Sequence, residues 1–172
     1  MIGRSLSRLF LGLLLGFLTG CVGYTLGPTP PTYMKGVHRV AVPILKNATT
    51  TPDIQAVATT TMISQIQQDG TYEVTGVDQA DAIVVGTITS VTRSKSRSLQ
   101  GNVLASAEFT LRVLITFRIE KPNTGQLMNQ RQIEGDTSFF VGNDIYTQER
   151  EAIPLAMQDA AVQFVSFLSE GW

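Results

Sequence analysis

Few groups in this 172-residue chain could do chemistry. There is one thiol, Cys21, and one imidazole, His38. A single cysteine leaves no disulfide to hold the fold together. His38 stands at a predicted strand start, and a histidine metal site or His-based triad lacks the further partners it would need. Asp81, Asp136 and Asp144 lie far apart, and no spacing marks them as a catalytic pair. No phosphate-cradling glycine loop is present. The pattern best suited to binding is "TRSKSRS", residues 92–98. Arg93, Lys95 and Arg97 alternate with Ser94, Ser96 and Ser98, so in an extended chain the three cations share one side. Such cations with hydroxyls beside them suit a phosphorylated ligand. The plain alternative is a solvated hairpin tip whose charges resist edge-to-edge aggregation.

The thiol is explained by its neighbours. "MIGRSLSR" is basic and free of acids, and "LFLGLLLGFL" is an apolar run of ten residues. A membrane-spanning helix needs about 20 apolar residues, so residues 1–20 read as a secretory signal peptide. The alternative is an uncleaved anchor. The run ends in "LTGC", a branched apolar residue, two small ones and Cys21, which resembles the lipobox of bacterial lipoproteins. The resemblance implies cleavage before Cys21 and lipid on its sulfur. The thiolate is the nucleophile such a modification requires, and several acyl chains anchor a protein where one holds it marginally. Val22 follows the cysteine where aspartate would be the retention residue, which by resemblance to the enterobacterial sorting rule favours the outer membrane.

Three glycines and three prolines fall within residues 22–36, so 21–36 is expected to be a tether. Residues 37–172 are expected to form one domain. The chain is 43% apolar and only 16% charged, which excludes a charged disordered protein. Without residues 1–20 the balance is 11 basic against 14 acidic side chains, unlike a general nucleic-acid binder.

Periodicity supplies the elements. Val40, Val42 and Ile44 alternate and mark a first strand that Pro43 places at an edge or ends. Ile54, Ala58, Met62 and Ile66 recur at four-residue spacing, with Val57 and Ile63 beside them. They mark a helix, with Thr51-Pro52 at its start and Gly70 at its stop. "YEVTGVDQADAIVVGTITSVTRSKS" reads as a short strand, a turn and a longer strand, with Ile83, Val85 and Val91 on one face. Gly86 suggests a bulge or a close backbone approach. Every odd position from Val103 to Ile119 is apolar, which predicts a long strand with one buried face. "KPNTG" is turn chemistry, and a more polar partner strand follows, whose polarity suits an edge. Ile153, Ala156, Met157, Ala160, Ala161, Phe164, Phe167 and Leu168 form a helical stripe that Pro154 either starts or kinks. The expected fold is α+β: a two-layer sandwich with two helices on one face of a four-stranded mixed or antiparallel sheet, in the order β-α-β-β-β-α.

With "CVGYTLG", "VHRVAVPILKNATTTPDI", "DQADAIVVGTITSV", the "NTG" hairpin and a last helix ending at a tryptophan, the chain resembles the LptE-like family of lipopolysaccharide-assembly lipoproteins. The resemblance implies a non-enzymatic protein at the periplasmic face of the outer membrane, held by its lipid anchor and needing no cofactor. It implies two partners, lipopolysaccharide and a β-barrel translocon of the LptD type that the protein plugs and helps assemble. Arg93, Lys95 and Arg97 are then the candidate ligand contacts, with Arg118 and Arg131 as further ones. The proline often found in the family's basic hairpin is missing here. Other periplasmic lipoproteins share a strand, an Asn/Thr turn and a helix at their start. They activate peptidoglycan synthases or build secretion pores, which is the alternative reading. A small hydrolase is disfavoured by the missing catalytic base.

Overall fold

The computed structural model describes residues 30–97, 107–141 and 144–171. The expected signal segment 1–20, Cys21, most of the expected tether and residues 103–106 lie outside them. In chain order the elements are β1 (Arg39–Ala41), β2 (Lys46–Asn47), α1 (Ile54–Asp69), β3 (Glu73–Val74), β4 (Ala82–Arg97), β5 (Ala107–Glu120), β6 (Leu127–Val141) and α2 (Ile145–Glu170). The six strands form one mixed sheet in the order β3-β1-β4-β5-β6, with β2 also paired to β4. The pairs of β1 with β3 and of β1 and β2 with β4 are parallel, and β4-β5-β6 is an antiparallel meander. The α+β class and the two helices are as expected. The four-stranded sheet is corrected to six strands.

Pro43 accounts for one of the added strands. Lacking an N–H, it cannot continue a ladder. The first strand stops at Ala41, opposite Ile83, and the chain rejoins β4 only at Lys46, opposite Thr87. The expected alternation therefore fails at its last member. Val40 and Val42 are buried, but Ile44 is 76% exposed. Leu45 returns to the core, where a Cβ on Gly86 would lie 2.6 Å from its side chain. Gly86 is thus a close approach.

The central strands carry the core. In β5, Leu111, Val113, Ile115, Phe117 and Ile119 are all fully buried, so the alternation read from the sequence holds. Burial of each is worth roughly 1.5–3 kcal/mol relative to exposure. Phe117 stacks on Phe164 of α2 with ring centroids 3.9 Å apart. The turn after β5 places Gly125 at φ 63°, a left-handed conformation glycine adopts without a Cβ clash.

In β4 the phase changes midway. Ala82, Val84 and Ile88 are buried on the helix side. The register slips between Ile88 and Ser90, after which Val91 stands opposite Val113 and Arg93 opposite Leu111. An extra residue in a strand produces such a slip. Ile83, Val85 and Val91 therefore do not share a face. Ile83 and Val85 sit across from Glu120 and Arg118 on the side away from the helices, and Val91 is on the helix side.

In α1 the buried residues include Ile54, Ala58, Met62 and Ile66, and Gly70 ends the helix. The helix starts at Ile54 after Asp53, not at Pro52, and Val57 is 37% exposed. Thr59 ties α1 to the sheet: its hydroxyl donates to the Gln55 carbonyl and accepts the Leu45 N–H at 3.0 Å. The expected apolar stripe of α2 is buried throughout. Pro154 lies inside this helix and does not start it. The start is set by Asp144, whose carboxylate accepts the N–H groups of Tyr146 and Thr147. At the other end, the Tyr33 and Tyr72 hydroxyls donate to the Phe167 and Leu168 carbonyls at 2.6 and 2.8 Å. Packing therefore includes residues before 37, and Met34 is fully buried.

Candidate functional site

The slip in β4 decides where the cations go. After it, odd residues of β4 are on the helix side, which carries Arg93 and Lys95 toward the first turns of α2, past the end of the aliphatic core. Arg93 pairs with Glu149 of α2, and its guanidinium lies 5.9 Å from the centroid of the Phe109 ring. Phe109 in turn stacks on Phe139 at 6.0 Å. A planar cation held between a carboxylate and an aromatic face is anchored, with its side chain still 34% exposed. Lys95 is across from Phe109 in register, exposed, and makes no ion pair among the described residues.

The expected trio on one side is corrected. A second register shift, between Lys95 and Arg97, sets Arg97 opposite Glu108, so Arg97 leaves the phase that Arg93 and Lys95 share. The stretch is also strand through Arg97 rather than a hairpin tip. The expected hydroxyls beside the cations stand on the other face: Ser94 pairs across from Thr110, and the Ser96 and Thr110 hydroxyls are hydrogen-bonded.

Arg118 and Arg131 do not join this site. Arg118 faces away from the helices toward the opposite end of β5 and pairs with Glu120 at 3.0 Å. Arg131 is on the helix side but lies over the Phe167 ring, 5.1 Å from its centroid, near the C-terminal end of α2. The structure thus brings Arg93 and Lys95 together and separates the other three. Sequence reasoning missed Glu149 and Phe109, the two groups that hold Arg93.

Two of the carboxylates singled out earlier, Asp81 and Asp144, have structural partners. Asp81 accepts the backbone N–H groups of His38 and Arg39 at 3.1 and 2.9 Å and pairs with the Arg39 guanidinium at 3.0 Å. The Arg39 side-chain bond, followed by the two backbone bonds, pulls its pKa down to about 2. It clasps the starts of β1 and β4. The Asp136 N–H donates to Asp159 at 3.1 Å. The Asp144 carboxyl is held below the usual range, first by its bonds with Thr147. Among the described residues no three His, Cys, Asp or Glu side chains are grouped to hold a metal ion. No helix among them is long and apolar enough to cross a membrane.

Two helices on one face of a six-stranded mixed sheet, with a pair of cations at the far end of a long meander, define a small α+β domain without an evident catalytic centre among the described residues. A model of the lipopolysaccharide-assembly (LptE) family matches residues 37–168, well over half of the chain. The chain belongs to that family. No curated protein sequence matches it. Among solved structures, it is similar to a putative neuraminyllactose-binding hemagglutinin homolog from Helicobacter pylori. The TM-score is 0.53 and the identity 11%, covering 87% of this chain and 92% of that one. It is also similar to a minor lipoprotein from Acinetobacter baumannii, with a TM-score of 0.51 and 18% identity, covering 76% and 91%. At these identities the likeness is one of fold.

Proposed function

We propose that this chain is a lipid-anchored protein of the outer membrane's periplasmic face that assembles with and plugs a β-barrel translocon of the LptD type and assists lipopolysaccharide insertion. The role is non-enzymatic. The observation that carries the reading is the family match over residues 37–168, which takes in all six strands and nearly all of both helices. The lipobox-like "LTGC" ending at Cys21 supports the anchor. Arg93 and Lys95 support the ligand: they put positive charge beside the aromatic pair Phe109–Phe139, a combination suited to phosphate next to an acyl chain.

The test is affinity purification of the full-length lipidated chain from solubilised outer membranes. Co-purification of an LptD-type barrel in stoichiometric amount is the expected result. Recovery of a peptidoglycan synthase or a secretion-pore subunit in its place would overturn the reading.

A further inference from the structure

Among the described residues β6 is the last strand on its side of the sheet, and its outer edge is answered over only part of its length. The Glu134 carbonyl accepts from Gln163 Nε2 at 2.8 Å, and the Asp136 N–H donates to Asp159 Oδ2 at 3.1 Å. Both helix side chains come from α2 and are bonded to each other at 2.9 Å. In an antiparallel strand the N–H and C=O of one residue point to the same side, and alternate residues point outward. The even residues of β6 are therefore the outward ones. Gln132 turns both of its backbone groups to the edge, joined by the Gln130 carbonyl and the Glu134 N–H. The Gln130 N–H is already taken by Asn129 Oδ1 at 2.7 Å. α2 thus blocks the edge at 134–136, and among the described residues no hydrogen bond answers the outward backbone groups from the Gln130 carbonyl to the Glu134 N–H.

Beside the open stretch, between β6 and α2, is a groove of about 490 Å³ lined by Arg131, Ile133, Val162, Gln163 and Ser166. Its floor residue Ile133 is buried, and Val162 at the rim is 45% exposed. An extended backbone is the ligand whose groups match such a row at strand spacing. Its alternate side chains would point toward the helix side, where the groove can take one.

A second copy of this chain does not fit by antiparallel edge pairing. α2 lies directly on β6: a Cβ on Gly135 would be 2.2 Å from the Ala156 carbonyl oxygen. Pairing two β6 strands about a two-fold axis would bring both α2 helices onto one face about 5 Å apart, whereas packed helices need about 8–10 Å. A strand without a covering helix meets no such conflict.

We propose that the β6 edge between Gln130 and Glu134 accepts an extended segment of the β-barrel partner that lies outside its closed, fully paired wall, with one of its side chains seated in the groove beside Val162. This rests on the barrel partnership proposed above. The experiment purifies the full-length lipidated chain with the LptD-type barrel, carrying a photo-crosslinking residue at position 132 or, as control, at exposed position 158. Crosslinking to the barrel from 132 and not from 158 is expected. Gln132→Pro removes the outward N–H at an edge position that tolerates proline, and should lower barrel recovery about tenfold or more, whereas Gln132→Ala should not. Val162→Lys, which fills the groove without touching the backbone, should lower it too. The Gln132 and Glu134 amides should exchange more slowly with solvent in the complex. Undiminished recovery with Val162→Lys and unslowed exchange would overturn strand addition while leaving the barrel partnership standing, even if the proline variant fails to fold. If the unaltered chain recovers no barrel, both proposals fall. A crosslinked product of twice the chain's mass would assign the edge to self-association and overturn this one alone.

Discussion

Gly135 of β6 and Ala160 of α2 meet backbone to backbone: a Cβ on Gly135 would lie 2.6 Å from the Ala160 nitrogen and 2.7 Å from its Cβ. Real Cβ atoms do not approach backbone so closely, so helix and strand can settle at this distance only with glycine here. This contact lays α2 over the edge strand and lets Asp159 and Gln163 reach its outer backbone groups.

Gly135→Ala should therefore push α2 off the sheet. Overpacking against fixed backbone costs about 3 kcal/mol, which lowers the thermal midpoint by roughly 10 °C for a domain of this size. Gly86→Ala meets the Leu45 side chain at 2.6 Å, which can move, and should cost less, about 1 kcal/mol. Urea titrations of the two variants check the order. Equal losses would mean that the helix yields as easily as a leucine rotamer.

The contrast shows what sequence can reveal. Period-two burial in β5 and the stripe of α2 were legible because long elements repeat their pattern many times. A strand of two residues such as β2 carries no period at all, whereas β3, equally short, was legible in "YEV" from its β-forming residues beside a turn. The slip in β4 was hidden for another reason. The stretch around it is Thr-Ile-Thr-Ser-Val-Thr, in which threonine and serine suit either face, so one added residue leaves no mark on the polarity pattern. That one residue moved Arg93 and Lys95 to the helix side, and a second slip separated Arg97 from them. Asp144 was read only as an isolated carboxylate, and its place as the cap of α2 emerged from the structure. Glu149 and Phe109 carried no signal, since their roles depend on a contact between remote segments.

Asp81 gives the fold a pH dependence. Its carboxyl titrates at about 2 in the folded chain, chiefly through its bond with Arg39, against about 3.9 when unfolded. A depressed carboxyl stabilises the fold above the unfolded value and loses that contribution as pH falls through the folded one. The loss should fall between about pH 4 and pH 2. Asp81→Asn should be less stable than the parent at pH 7, with the two urea midpoints converging toward pH 2. Parallel midpoints across that window would remove Asp81 as their cause.

Cys21→Ala tests the anchor apart from the domain. Without the thiolate there is no site for the lipid, and no helix among the described residues is long and apolar enough to cross a membrane. The variant should leave the outer-membrane fraction, as a soluble or inner-membrane-retained precursor, while its purified domain keeps the parent's thermal midpoint. Continued fractionation with the outer membrane would sink the lipoprotein assignment.

The ion pair between Arg93 and Glu149 makes the ligand reading quantitative. Glu149 neutralises the arginine that a phosphate would need, so the free domain presents Lys95 as the open cation and Arg93 as a masked one. Glu149→Gln should unmask it and tighten binding to lipopolysaccharide by a few-fold, since a partly exposed pair is worth about 1 kcal/mol or less. Arg93→Glu with Lys95→Glu should weaken binding about tenfold or more at low salt, because two attractions become repulsions. Both effects should shrink as ionic strength rises and the Debye length falls. Arg118→Glu, on the far face, serves as the control and should change little. Titration of vesicles containing lipopolysaccharide, at two salt concentrations, measures all three. If Glu149→Gln and the double reversal both match the parent isotherm, this end of the meander is a solvated strand end and the ligand binds elsewhere.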